Sequence, residues 1–237
     1  MAMDKATSWS NWCDRLINPL KWPAALLSAA ATPLLAWGLL RLLVRVIREP
    51  LNLIPFVLGG VLFVVLWRRW LKLSRIGRFL ITIEHESTHA LFALLTGHRI
   101  LSFRASMGKG GQVRFEGSGN WLIVVAPYFF PTAALLMFLL AYLLPLQWLL
   151  PWGRLLLGAA LAYHVVSTYR ETHKDQTDIQ QLGLTFCWLF LPAANLAVVG
   201  LLIAFAHAGS AGLRLWLADM NQPLQMAWRW VENSGIW

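Results

Sequence analysis

The sequence predicts an all-α membrane protein of about six transmembrane helices, with a short β-hairpin between the third and the fourth. Three observations predict it. Of 237 residues, 58% are hydrophobic and only 13% charged, where a soluble domain carries roughly 25% charged residues. The mean hydropathy is +0.56, and the apolar residues gather into runs near the ~20 residues that span hydrocarbon as a helix. Trp22, Trp67, Trp121, Trp148, Trp152 and Trp188 stand near the ends of those runs, where aromatic belts meet the headgroups. A water-soluble globule, a disordered tail and a collagen-like chain are excluded. With most of the chain used in crossings, residues 1–237 read as one membrane-embedded domain.

In chain order, residues 1–22 mix acids and bases with Trp9, Trp12, Leu16, Ile17 and Leu20, the composition of an interfacial helix rather than of a cleavable signal. The apolar runs are Pro23–Leu40, Leu51–Leu66, about Phe79–Thr96, Trp121–Leu144, about Trp148–Val166 and Leu184–Ala206. The first two are separated by about ten residues and could instead form a hairpin that does not fully cross. Between the third and fourth runs, Leu101, Phe103, Ala105 and Met107 alternate with Ser102, Arg104 and Ser106. Gly108-Lys109-Gly110-Gly111 follows, and then Val113 and Phe115 alternate with polar residues. Period two around a glycine-rich turn is a β-hairpin signal. In the tail, 209–237, Leu213, Trp216, Leu217 and Met220 share a helical face that Pro223 interrupts, which predicts an amphipathic interfacial helix. Pro127 and Pro131 leave carbonyls free in the fourth run, so it is expected to kink or flex there.

The chemistry concentrates in the third run, at Glu84-His85-Glu86-Ser87-Thr88-His89. His85, Glu86 and His89 make His-Glu-x-x-His. On a helix, positions i and i+4 lie one turn apart on one face, so both imidazoles can reach one metal ion. Glu86, about 100° round, can serve as general base on a water. Zinc suits two imidazoles, a carboxylate oxygen and an open fourth position. Four ionisable groups in an apolar helix are costly unless used, each acid at a bilayer centre costing ~2.5 kcal/mol or more; the bland alternative is a buried Glu–His contact without metal. A third ligand is sought in Arg170–Gly183, which the alternation of crossings places on the same membrane side as the hairpin. Asp178 stands closest to the sixth crossing and is the first candidate, with Asp175, Glu171 and His173 as alternatives. His164 and Asn195 read as interhelical hydrogen-bonding groups, and His98 and His207 as interfacial residues without a special role.

These residues resemble the site-2 protease class of intramembrane zinc metalloproteases, especially its compact, PDZ-less bacterial branch. The matching features are His85-Glu86-Ser87-Thr88-His89 in an apolar helix, Ala90 to Gly97 directly after it, the glycine-turn hairpin, Ala126-Pro127, and Thr177-Asp178 downstream. The likeness covers about 79–206, the metalloprotease-like core. It implies a helical bundle with zinc below the membrane surface, ligands His85, His89 and Asp178, Glu86 as base, and cleavage of a partner's transmembrane segment. It also favours a bacterial cytoplasmic membrane, with the hairpin side cytoplasmic. Two features depart from the better-known members: Ile179 follows Asp178 where they have Asp-Gly, and Val125 to Pro131 lacks their Gly-Pro and Asn.

The formal charge of +9 sits at the ends of apolar runs, which fits anionic lipid headgroups and not nucleic acid. Cys13 and Cys187 cannot build a disulfide framework or a thiolate site. The expected partner is a membrane protein substrate. The competing readings are a non-catalytic membrane adaptor that keeps the bundle, and a membrane protease with Glu171 as third ligand. Hairpins of this kind can hold an unwound substrate by strand addition or serve only as structure.

Overall fold

A computed structural model describes residues 2–107, 110–143 and 150–234. The hairpin-turn residues Gly108 and Lys109 and the junction of the fourth and fifth runs (144–149) lie outside the described residues. In order come α1 (Ala2–Ile17), α2 (Lys21–Arg48), α3 (Ile54–Leu66), α4 (Arg75–Leu95), β1 (Ile100–Ala105), β2 (Gly111–Phe115), α5 (Trp121–Val125), α6 (Thr132–Leu143), α7 (Leu150–Glu171) and α8 (Thr177–Leu182). The stretch Leu184–Asn233 is two helices joined across non-helical Ala208 and Gly209; its halves, 184–207 and 210–233, are here α9 and α10.

In their described residues the six apolar runs are helical apart from a break at 129–131 in the fourth, and by length and hydropathy three or four of them qualify as crossings. Three stretches are long and apolar enough to cross a membrane, within 9–48, 50–71 and 184–233. The bent pair Trp121–Tyr128 and Thr132–Leu140 makes a fourth if taken as one span. Polarity keeps the other two of the expected six runs, the third and the fifth, outside that set. Helix α4 carries Arg75, Arg78, Glu84 and Glu86, and α7 interleaves Arg154, Tyr163, His164, Ser167 and Thr168 with its leucines. The fourth run bends by 80°: a short 3-10 turn, Ala126–Tyr128, ends α5, and α6 resumes at Thr132 beyond Pro131. Proline at 127 and 131 removes two backbone donors, and the helix breaks where they stand.

Two close helix contacts organise the bundle. Helix α3 lies along α7 through paired glycines: a Cβ on Gly59 would come 1.8 Å from the Leu155 carbonyl oxygen, and one on Gly158 1.9 Å from that of Phe56. Small residues let helix backbones approach where lipid offers no hydrophobic drive. Gly158→Ala is therefore expected to force the pair apart and to cost ~1–3 kcal/mol or more, read as a lower unfolding midpoint in detergent. The second contact is α2 against α9 and α10. Buried Trp216 packs with Leu42 and Ala204, and a Cβ on Gly200 or Gly38 would strike Trp216 or Met220. Arg45 reaches Asp219 at 2.5 Å. Gly209, at φ +58, supplies the left-handed residue that turns α9 back into α10. Helix α10 continues through Pro223 to Asn233, so that proline does not end it as the sequence suggested. Only the amide at 223 and its bond to the preceding turn are lost, and good helix formers on both sides carry the helix on.

The strands pair antiparallel, Phe103 opposite Val113 and Ala105 opposite Gly111, with a register shift between Ile100 and Ser102. Gly111 belongs to the strand rather than the turn, because a Cβ there would lie 2.4 Å from Glu86 Cγ and 2.6 Å from Thr82 Cγ2. The hairpin thus rests directly on α4.

Candidate metal centre

Helix α4 is fixed at both ends by its own sequence. Ser74 caps its start, its Oγ accepting from the Gly77 N–H at 2.9 Å. At its end the amides of Gly97 and His98 return to the Leu94 and Ala93 carbonyls at 3.0 and 2.8 Å, and Gly97 takes φ +79, the geometry that closes a helix with glycine. Between these caps, His85 and His89 project from one face. Their Nε2 atoms stand 3.1 Å apart, and Asp178 Oδ2 lies 3.2 Å from each.

Asp178 comes from the first turn of α8, 89 positions beyond His89, and completes the triangle. Among the described residues, His85, His89 and Asp178 are the group of His, Cys, Asp and Glu whose ligand atoms converge closely enough to hold a metal ion. Two donors each ~2.0–2.1 Å from a tetrahedral zinc stand about 3.3 Å apart, and the edges of 3.1–3.2 Å match this. Nitrogen and oxygen donors without sulfur also suit zinc. The residues fit the ion. Of the alternatives, the Glu171 carboxylate is engaged by the Gln176 amide, and neither it nor Asp175 joins the triangle.

The surroundings orient the donors. His89 Nδ1 lies 2.8 Å from the Ile123 carbonyl; that oxygen can only accept, so the proton sits on Nδ1 and the Nε2 lone pair faces the triangle. Asp178 Oδ2 faces both Nε2 atoms at 3.2 Å, the placement of a carboxylate that serves as a ligand in its ionised form. Buried Tyr128, in the 3-10 turn of the broken fourth run, donates its hydroxyl to Asp178 Oδ2 at 3.2 Å and packs edge-on to His85. The Asn195 amide holds the Tyr128 carbonyl at 3.0 Å, the interhelical role expected of it, while buried His164 meets the Thr168 hydroxyl of its own helix at 3.4 Å.

Glu86 is buried and faces a cavity of about 990 Å³ that the triangle also lines. The Val113 amide of β2 is turned toward its carboxylate. Glu84, one turn before Thr88 on α4, has a different task. Its Oε1 accepts from the Ala133 N–H at 3.2 Å, at the start of α6, where an anion satisfies the free amides of a helix N-terminus. Thr88 Oγ1 adds a 2.6 Å bond to Thr132 Oγ1. These two contacts hold the bend beside the site.

Tyr128, the Ile123 carbonyl and Glu84 were not singled out from sequence. Tyr128 left one signal: it is the hydroxyl-bearing ring beside Phe129 and Phe130, and a buried tyrosine hydroxyl needs a partner. His98, expected to have no special role, is buried, its Nε2 3.2 Å from Asp14 Oδ2 and its Nδ1 3.0 Å from Thr96 Oγ1. Its place at the end of an apolar run hid the docking of α1 over it.

A family model described as Peptidase M50B-like matches residues 56–210, well over half of the chain and the whole of the triangle. The chain belongs to this peptidase family. That membership places it with the site-2 protease class, in agreement with the likeness carried by the His-Glu-x-x-His helix. No curated protein and no solved structure matches the chain. The family membership and the apolar helices together make this peptidase-family chain an integral membrane protein.

Proposed function

We propose that this M50B-like chain is an intramembrane zinc metalloprotease that hydrolyses a peptide bond within or beside the transmembrane segment of a membrane protein substrate. The observation that carries this reading is the convergence of His85 Nε2, His89 Nε2 and Asp178 Oδ2 to edges of 3.1–3.2 Å, with Glu86 beside them on the same cavity. His85, His89 and Asp178 hold the ion. When bound, zinc supplies a Lewis acid that polarises the scissile carbonyl and acidifies a water. Glu86 accepts the proton of the attacking water as its oxygen bonds the carbonyl carbon. It then returns a proton to the amine nitrogen as the C–N bond breaks. In this reading α4 and α7 also lie within the membrane, their polar groups turned to the site and to each other. The protein is multi-pass in a bacterial cytoplasmic membrane, with its basic run ends at anionic headgroups.

A helical substrate hides its peptide bonds, so it must be extended before hydrolysis. Strand β2 borders the cavity through Gly111, Gln112, Val113 and Phe115, and its edge suits strand addition by an unwound segment. The reading is tested with the full chain in lipid vesicles beside candidate single-span membrane proteins. Cleavage within or next to the span, stopped by a chelator and restored by zinc, is the expected result; a chain that takes up no zinc overturns it. Tyr128→Phe is expected to weaken zinc binding by about 10–100-fold, the range for outer contacts to a ligand, measured by chelator competition.

A further inference from the structure

The amino-terminal 21 residues lie outside the family match, which starts at residue 56, yet they reach into the site from two sides. The first side is α5. Asp14, buried on the inner face of α1, accepts from Asn120 Nδ2 at 2.8 Å. Asn120 caps α5, its Oδ1 accepting from the Ile123 N–H at 3.3 Å, and the carbonyl of Ile123 is the one that orients His89. Asn18 adds its Oδ1 to the Trp121 N–H at 3.3 Å. The Trp121 indole returns a bond to the Ile17 carbonyl at 2.7 Å.

The second side is α8. Lys21 Nζ donates to the Leu182 carbonyl at 2.8 Å, the last residue of the six-residue helix that carries Asp178. A cation there complements the free carbonyls at a helix end. The ammonium also lies 5.1 Å from the Phe186 ring, just beyond the turn that ends α8. At the far end of α1, Trp9 covers Gly97, where a Cβ would lie 2.1 Å from the indole, and so rests on the C-terminal cap of α4. The two helices that carry the donors, α4 and α8, and α5, which orients His89, are therefore all in contact with the same segment. Asn18 and Lys21 also line the cavity itself.

We propose that residues 9–21 are a brace that positions His89 and Asp178, with Asp14 and Lys21 as positioning residues acting through Asn120–Ile123 and through Leu182. The proposal rests on the metalloprotease reading for its consequence, but not for its mechanics. A helix of six residues bounded by Gly183 has little stability of its own, so its register on the site depends on what grips its ends.

The test uses the full chain in detergent with Lys21→Met and Asp14→Ala, and Asp219→Asn as a comparison that removes the Arg45 ion pair far from the cavity. In metal-free protein, amide exchange in 177–182 is expected to quicken in Lys21→Met, and exchange in 121–125 in Asp14→Ala. Zinc affinity by chelator competition is expected to fall about 10-fold or more in each, as for other contacts behind a ligand. Asp219→Asn is expected to lower the unfolding midpoint while leaving zinc affinity within about twofold, which a merely structural role for the brace would match. Unchanged exchange and affinity in Lys21→Met overturn the brace, and that variant decides alone if Asp14→Ala does not fold. A wild-type chain that binds no zinc overturns the metalloprotease reading instead, and the exchange measurement still decides the brace.

Discussion

Glu86→Gln is expected to keep its zinc and lose its turnover. The side chain is not among the three converging donors, so the amide leaves the ion's ligands in place. Removing a positioned general base lowers rate by about 10²–10⁴-fold. Glutamine keeps the volume and a hydrogen-bond acceptor for the Val113 amide that faces Glu86, so α4 and the hairpin should keep their contact. The measurement is a single-turnover cleavage rate beside a zinc determination on the same preparation. Zinc lost together with activity would mean that Glu86 holds the ion, and would contradict the assigned role.

Asp178→Ala is expected to lose the zinc. Its Oδ2 meets both imidazoles and the Tyr128 hydroxyl. Without it, two nitrogens on a single helix remain, with no carboxylate among the ion's ligands. Affinity should drop by more than the ~10–100-fold that outer contacts carry. Glu171→Ala should retain zinc, since that carboxylate is turned to Gln176. Zinc retained in Asp178→Ala and lost in Glu171→Ala would transfer the third position to Glu171.

Much of this site was legible because its signals are local. His85, Glu86 and His89 sit within five residues, and helical spacing alone puts the two imidazoles on one face. Asp178 was reachable from topology, because alternating crossings bring 170–183 to the side where α4 ends. The hairpin followed from period-two alternation about glycines, though Gly111 serves close packing on Glu86 rather than the turn. What stayed hidden is non-local. Asp14 meets Asn120 across 106 positions, and Lys21 meets Leu182 across 161; neither has any periodicity to betray it. The 80° bend was foreshadowed by Pro127 and Pro131, but its support by Glu84 was not. A carboxylate that caps a helix 49 residues away looks, in sequence, like one more acid beside a metal motif. Length and hydropathy alone carry the crossing count only to three or four for a related reason: hydropathy cannot tell a polar residue turned into a bundle from one that keeps a helix out of the membrane.

The most direct measurement is X-ray absorption at the zinc edge on the purified full chain loaded with one equivalent of zinc. The predicted spectrum shows only nitrogen and oxygen neighbours at ~2.0–2.1 Å, with the outer-atom scattering of two imidazoles. It should lose its ordered form in Asp178→Ala. A sulfur neighbour at ~2.3 Å would draw in Cys13 or Cys187, both buried away from the triangle. That result, or a single imidazole, would contradict the centre described here.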